Sequence, residues 1–133
     1  MTKHILALEK DLFFAVKIRD TLRHHEMEVK TVRSLAGFEQ ELATAGEEKP
    51  ALVIVNFSSA GIDWEAAIRQ ARALDYPVLA FGRHTDLEAI ARARQAGASR
   101  VVANSKFTGD MPGLVSRLIS NPASVSAEDE GVE

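Results

Sequence analysis

Polar side chains directly follow several apolar runs of the sequence, and these residues have the types that could do chemistry. Glu9, Lys10 and Asp11 come after the first run, and Asn56 closes the run "ALVIVN". Carboxylates such as Glu9 and Asp11 can hold a hard cation like Mg²⁺, but Lys10 places an ammonium group beside any such metal. A neutral amide such as Asn56 is a poor nucleophile and a weaker metal ligand than a carboxylate.

The hydrophobic pattern predicts the elements that must position these residues. Apolar runs of strand length lie at residues 5–8, 28–32, 52–55, 78–81 and 101–103. Helical periodicity predicts helices between and after them, over about 11–25, 35–45, 64–75, 86–97 and 110–120. Strands alternating with helices, each strand almost continuously apolar, predict a parallel sheet covered on both faces. Functional residues are then expected just after each strand, at the carboxyl edge of the sheet.

The helical patterns also predict which side chains face the core. The first helix is expected to bury Phe14, Ile18 and Leu22. The fourth is expected to turn Leu87, Ile90 and Ala91 inward and its arginines outward. Asp11 and Asp63 are predicted to cap the first and third helices, and the fourth helix is predicted to begin at Asp86.

The strand-end residues, together with "YPVLAFG" at 76–82 and "ARQAGASRVV" at 93–102, resemble the receiver domains of bacterial response regulators. The resemblance covers residues 3–120. It implies a three-layer α/β/α sandwich, in which a doubly wound, five-stranded parallel sheet of order 2-1-3-4-5 is covered by five helices. The predicted domain is therefore 1–120, followed by a tail over 121–133 whose composition of Ser, Ala and acidic residues indicates disorder.

The resemblance also implies a site, and this sequence departs from the family pattern there. Family members have an acidic pair after strand one, a phosphate-accepting Asp after strand three, a Thr or Ser after strand four, and Lys-Pro after strand five. The corresponding degenerate positions are Glu9, Lys10, Asn56, Gly82 and Asn104, with Lys106 as a displaced substitute for the family lysine. These departures together argue against phosphoryl transfer.

Asn56 itself has two interpretations. It could fix one state of the domain through hydrogen bonds, with Lys106 or Ser105 as partners. Alternatively, it simply bonds neighbouring backbone and starts the turn after the strand. Loss of phosphorylation is expected under both interpretations.

Other residues are candidates for ligand binding or for an interface. Phe13 and Val16 lie off the core stripe of the first helix and form a small apolar patch. Arg92 and Arg94, with Arg100 nearby, mark the fourth helix as a second surface. His84 lies beyond strand four. It could contact a ligand there, or it could be a solvated loop residue.

Composition limits the remaining functions. The 133 residues include no cysteine, which excludes disulfides and thiolate metal sites. Four of the 19 acidic residues lie in the tail, at Glu128, Asp129, Glu130 and Glu133, so the body is nearly neutral and gives no electrostatic indication of nucleic-acid binding. No metal site, cofactor, signal peptide or membrane span is predicted, and a cytoplasmic location is expected.

The resulting prediction is a stand-alone pseudo-receiver, not an enzyme, that signals through phosphorylation-independent binding to another protein or to a second copy of itself. One alternative is that the altered pocket binds a small anion or metabolite through Lys10, Lys106, His84 and the backbone amides of the loops. Another is a receiver that is still phosphorylated, on Asp11 or Asp63.

Overall fold

The computed structural model describes residues 2–121 of the chain. All but the first residue of the predicted tail therefore lies outside the described residues. The elements, in chain order, are β1 (Lys3–Leu8), α1 (Leu12–Arg23), β2 (Met27–Val32), α2 (Leu35–Ala43), β3 (Leu52–Asn56), α3 (Trp64–Ala73), β4 (Val78–Gly82), α4 (Leu87–Ala96), β5 (Arg100–Ala103), α5 (Asn104–Gly109) and α6 (Met111–Ser120).

The five strands form one parallel sheet in the order β2-β1-β3-β4-β5, which confirms the predicted topology. The chain crosses from one side of β1 to the other between β2 and β3. In an open parallel sheet, such a change of direction opens a crevice outside the carboxyl ends of the two central strands. Glu9 follows β1 and Asn56 ends β3, so both lie at this point of the sheet.

Alternating side chains of each strand enter two separate hydrophobic clusters. One cluster joins a face of the sheet to α2, α3 and α4, and the other joins the opposite face to α1, α5 and α6. In β3, for example, Val53 and Val55 belong to the first cluster, and Leu52 and Ile54 belong to the second. Strands that are buried on both faces need apolar residues at almost every position, which is the pattern that the sequence shows.

The helix starts are capped as the sequence predicts. Asp11, Asp63 and Asp86 each accept a hydrogen bond from a backbone N–H in the first turn of α1, α3 and α4, respectively. Gly97 ends α4 with a φ of 110°, a left-handed conformation that glycine adopts without strain. These caps fix where each helix begins relative to the strand before it.

The structure adds a sixth helix, α5, where the sequence predicted only five. Phe107 is fully buried, and its ring stacks on that of Phe81 with centroids 4.0 Å apart. The Thr108 hydroxyl donates to the Asn104 carbonyl at 3.0 Å and so closes the short helix. Six residues are too few to show helical periodicity, and the helix is held by this tertiary contact instead.

Two predicted core positions on the helices are wrong. Leu87 is 71% exposed and Ala91 is exposed, whereas Ala89, Ile90 and Ala93 are the buried residues of α4. Leu87 is the first residue of α4, and the inward stripe begins two residues later because Asp86 sets the start of the helix. On α1, Ala15 is buried and Phe14 is only half-buried.

Candidate functional site

A cleft lies at the carboxyl edge of the sheet, around the ends of β1 and β3, with a volume of about 470 Å³. Its lining includes Glu9, Lys10, Asn56 and Asn104, four of the positions that the sequence predicted to lie together. Asp11, Phe14, Arg33, Ser58, Ser59, Ala60 and Arg83 complete the lining. The residues that follow β1, β2, β3, β4 and β5 therefore all contribute to one site.

Glu9 and Asn56 form the buried centre of this cleft. The side-chain nitrogen of Asn56, Nδ2, donates to both oxygens of the Glu9 carboxylate, at 3.0 Å to Oε1 and 3.3 Å to Oε2. The Asp11 backbone N–H also donates to Glu9 Oε2, at 3.0 Å. Glu9 is only 1% exposed, so these donors replace the water that the carboxylate loses on burial.

The neighbouring backbone fixes the orientation of the Asn56 amide. Its oxygen, Oδ1, accepts the Ser58 backbone N–H at 2.8 Å. Rotating the amide by half a turn would point its oxygen at the Glu9 carboxylate and its NH₂ group at a backbone donor, with both contacts repulsive. The Asn56 oxygen thus bonds neighbouring backbone at the turn, as the second interpretation expected, and its amino group binds Glu9 rather than the Lys106 or Ser105 of the first.

Burial raises the pKa of the Glu9 carboxyl above its ordinary value. The Asp11 backbone N–H and the Asn56 side chain oppose this shift because they stabilise the charged form. Desolvation is the larger effect. The site therefore holds an acid that is ionised less readily than an exposed glutamate.

The residues of this cleft do not fit the Mg²⁺ ion that the fold resemblance implies. The Asn56 amino group, a hydrogen-bond donor, lies against the Glu9 oxygens that a cation would need. The Asp11 Oδ1 atom caps α1 by accepting the Phe13 N–H at 2.8 Å. Residues 2–121 contain no cluster of three or more His, Cys, Asp or Glu side chains suited to a metal ion. The Asn56 amide thus takes up the contact through which Glu9 would bind a cation.

The rim of the cleft carries three basic side chains. Lys10 Nζ donates to the Ala60 carbonyl at 3.2 Å, and Arg33 Nε donates to the Lys10 carbonyl at 3.1 Å. The Arg83 backbone N–H donates to the Ser58 hydroxyl at 2.9 Å. The sequence analysis missed Arg33 and Arg83, although each directly follows a strand, Arg33 after β2 and Arg83 after β4.

Gly82 is explained by a close approach of Phe57. A Cβ atom at position 82 would lie 2.5 Å from the Phe57 ring, well inside van der Waals contact. Phe57 is buried, so its ring has little room to move aside. The space beside the β4 carboxyl end, where the family resemblance expects a switching hydroxyl, is thus filled by an aromatic ring from the β3 end.

The last strand brings Asn104, but not Lys106, to the cleft. Asn104 is the first residue of α5 and lines the cleft, whereas Lys106 is exposed and does not line it. His84 is exposed on the turn after β4 and is also outside the lining. Two of the three side chains named for the anion-binding alternative, Lys106 and His84, therefore do not line the cleft, whereas Lys10 and the loop residues 58–60 do.

Some of the predicted surface residues are exposed to solvent, and others contact neighbouring side chains. Phe13 and Val16 are exposed on α1 beside Leu12, and we call these three residues the α1 patch. Arg92 instead forms an ion pair with Glu65 of α3, which lowers the Glu65 pKa, and lies 5.3 Å from the ring centroid of Trp64. Arg94 is exposed on α4, whereas Arg100 is buried on β5 and does not share the α4 surface.

Solved structures similar to this chain include response regulators and receiver domains. A response regulator from Thermotoga maritima is 18% identical, with a TM-score of 0.76 over 91% of this chain and 100% of that one. A putative response regulator from Chloroflexus aurantiacus J-10-fl is 20% identical, with the same TM-score over 91% and 100% of the two chains. The phosphorylated cyanobacterial phytochrome response regulator RcpA is 15% identical, with a TM-score of 0.77 over 93% and 98%.

No family model matches the chain, and no curated protein is similar to it in sequence. The low identities show a shared receiver fold and nothing further about this chain. Across the described range, no helix is both long and apolar enough to cross a membrane.

Proposed function

We propose that this chain is a receiver-like signalling module whose state does not depend on phosphorylation and which acts by binding another protein. The observation that carries the proposal is the hydrogen bonding of Asn56 to Glu9. A neutral amide occupies the strand end where receiver domains carry the acceptor carboxylate, and it uses its donor to satisfy the neighbouring acid. The amide offers no oxygen nucleophile for a phosphoryl group.

The surroundings of Asn56 support the same reading. Gly82 supplies no hydroxyl, and Phe57 leaves no space for one. Lys106 is exposed outside the cleft, so its ammonium group is not available to balance a phosphoryl charge there. Catalysis of phosphoryl transfer depends on such positioned charges and donors.

The two other carboxylates considered as acceptors have structural roles. Asp11 caps α1, and Asp63 caps α3 by accepting the Ala66 N–H at 3.1 Å. Asp63 also lies outside the lining of the cleft. Modification of either residue would remove a helix cap as well as create an adduct.

Intact-mass analysis after incubation with Mg²⁺ and acetyl phosphate tests this proposal. We expect no added phosphoryl group on the native chain, while a receiver domain that has the acceptor Asp gains one in the same mixture. The Asn56→Asp, Lys10→Asp double variant shows whether restoring the acids alone recovers the reaction. A stoichiometric adduct on the native chain would refute the proposal, and Asp11→Asn and Asp63→Asn variants would then locate it.

A further inference from the structure

Three basic residues from separate parts of the chain line the cleft. Lys10 follows β1, Arg33 follows β2 and Arg83 follows β4, and all three line the same 470 Å³ space. Cationic residues on a solvated surface are usually spread apart, since like charges repel. Their convergence on one concave surface points to a negatively charged ligand.

Most hydrogen-bond donors of these side chains remain available. Arg33 uses Nε on the Lys10 carbonyl, which leaves its two terminal nitrogens for other contacts. Within residues 2–121, the Arg83 guanidinium has no hydrogen bond or ion pair, and only its backbone N–H is engaged. A guanidinium group binds phosphate or carboxylate oxygens through two parallel hydrogen bonds.

Ser59 provides an independent indication of a ligand. Its side-chain oxygen, Oγ, is buried, and among the described residues it has no hydrogen-bond partner. The residue is 9% exposed and lines the cleft. A buried hydroxyl without a partner is costly, and a ligand oxygen in the cleft would satisfy it.

The acidic residues of the cleft, Glu9 and Asp11, cancel only part of this positive charge. Glu9 faces the Asn56 amino group and the Asp11 N–H, and Asp11 faces the Phe13 N–H. Both carboxylates therefore already have hydrogen-bond donors of their own, and within the described part of the chain neither forms a hydrogen bond or ion pair with the three basic side chains. With both acids ionised, the three cations still give the lining a formal net charge of +1.

We propose that the cleft binds a small phosphate monoester non-covalently, with Arg33, Arg83 and Lys10 holding the phosphate group and Ser59 donating to it. Three converging cations suit a dianion better than a single carboxylate. The volume of the cleft lies within the range of small-molecule sites and exceeds what a free phosphate ion would fill. This inference rests on the proposed function, because it gives the unphosphorylated site a ligand in place of the covalent phosphoryl group.

Titration of the full chain, followed by ¹H–¹⁵N NMR spectra at constant ionic strength, tests this inference. The probes are glucose 6-phosphate, inorganic phosphate and, as a neutral control, glucose. We expect saturable shifts of the backbone amides at 58–61 and 83 with both phosphates and none with glucose, and tighter binding of the ester. If glucose 6-phosphate and inorganic phosphate bound with equal affinity, the assignment to an ester would be overturned and free phosphate would be the ligand.

Matched arginine variants show whether binding depends on the cleft. Arg33→Gln and Arg83→Gln each remove a charge-assisted contact and should weaken binding about tenfold or more. Arg69→Gln removes the same charge from an exposed position on α3 outside the cleft and should leave the affinity unchanged within about twofold.

Absence of shifts at about 10 mM phosphate, a concentration that detects even millimolar affinity, would refute the inference. The inference would also be refuted if Arg69→Gln weakened phosphate binding as much as Arg33→Gln and Arg83→Gln, since binding would then be non-specific. If neither a covalent adduct nor bound phosphate were found, only this inference would fail. An adduct in the acetyl phosphate reaction would instead overturn the proposed function.

Discussion

Asn56 shows how a single atom replacement changes what a buried carboxylate can do. With an acid at position 56, two carboxylates would meet at the end of the central strands and would need a cation between them. With an amide, one of the two groups becomes a donor, and Glu9 is satisfied without a cation. The amide that gives Glu9 this donor lacks the second carboxylate oxygen that an aspartate would have.

Replacing Asn56 with Asp should therefore destabilise the protein at neutral pH. The new carboxylate would stand about 3 Å from Glu9, and the raised pKa values of the pair would make the folded state bind more protons than the unfolded state. The free energy of unfolding then falls as the pH rises above about 4. We expect a loss of about 1–3 kcal/mol at pH 7 that becomes small at pH 4 and below, measured by urea denaturation at several pH values.

Asn104→Asp is the matched control for this change. It introduces a carboxylate into the same cleft, but Asn104 has no hydrogen bond to Glu9. Its effect should be smaller and should depend less on pH. If the two variants lost the same stability with the same pH dependence, the contact between Asn56 and Glu9 would not be the cause.

The positions of most site residues could be predicted from the sequence, but their partners could not. Glu9, Lys10, Asn56 and Asn104 reach one cleft because each follows a parallel strand. The bond from Asn56 to Glu9 depends on side-chain torsions and on the Ser58 N–H, which no spacing rule encodes. Lys106 was expected near the site because α5, which carries it away, has no periodic signal in the sequence.

At the scale of elements, α1 leaves three large apolar side chains in solvent close together, whereas α4 leaves only Leu87. Leu12, Phe13 and Val16 are 60%, 71% and 44% exposed and lie within little more than one turn. Asp11 fixes the start of α1, so the patch lies beside the cleft, which Asp11 and Phe14 also line. The α1 patch is thus the surface through which we expect the proposed module to bind its protein partner.

Phe13→Ser should abolish most partner binding and leave the fold intact. Leu87→Ser is the control, because Leu87 is also 71% exposed but lies on α4. Both changes should alter the free energy of unfolding by no more than about 0.5 kcal/mol. In affinity capture with the purified chain, a specific partner is retained by native protein and by Leu87→Ser but not by Phe13→Ser.

Two other results would contradict this assignment. A partner that binds Phe13→Ser as well as native protein does not use the α1 patch. Concentration-dependent dimers that disappear in Phe13→Ser, seen by analytical ultracentrifugation, would identify a second copy of the chain as the occupant instead.

At the scale of the whole molecule, one sheet supports two hydrophobic layers. Trp64 and Tyr76 belong to the layer that includes α2, α3 and α4, whereas Leu114 belongs to the opposite layer. Adjacent residues of each central strand enter different layers, so neither layer can lose its packing without disturbing the shared strands. We expect the two layers to unfold together.

Leu114→Ala tests this coupling. Leu114 is fully buried, and its truncation should lower the free energy of unfolding by about 2–5 kcal/mol. Trp64, the only tryptophan, reports on the other side of the sheet. Its fluorescence midpoint in urea should fall together with the circular dichroism midpoint, while exposed Leu87→Ala changes both little. A Trp64 transition that stayed at the native midpoint would show that the layers unfold separately.

The fold as a whole was the most predictable feature of this sequence. Runs such as 52–55 and 78–81 are apolar at every position, which requires burial on both faces and hence a parallel sheet between helices. Strand order followed only from the resemblance to receiver domains, since the apolar pattern does not say which strands are neighbours. Helix ends such as Gly97 were predictable because they depend on one local conformation.

The packing of Phe57 against position 82 also limits how this sequence can change over evolutionary time. A hydroxyl-bearing residue cannot be introduced after β4 until the ring after β3 has been replaced by something smaller. Replacing the ring first would leave a cavity beside a glycine, with no gain to offset the lost packing. A lineage that carries both residues would need at least two substitutions, the first of them disadvantageous, to place a hydroxyl after β4.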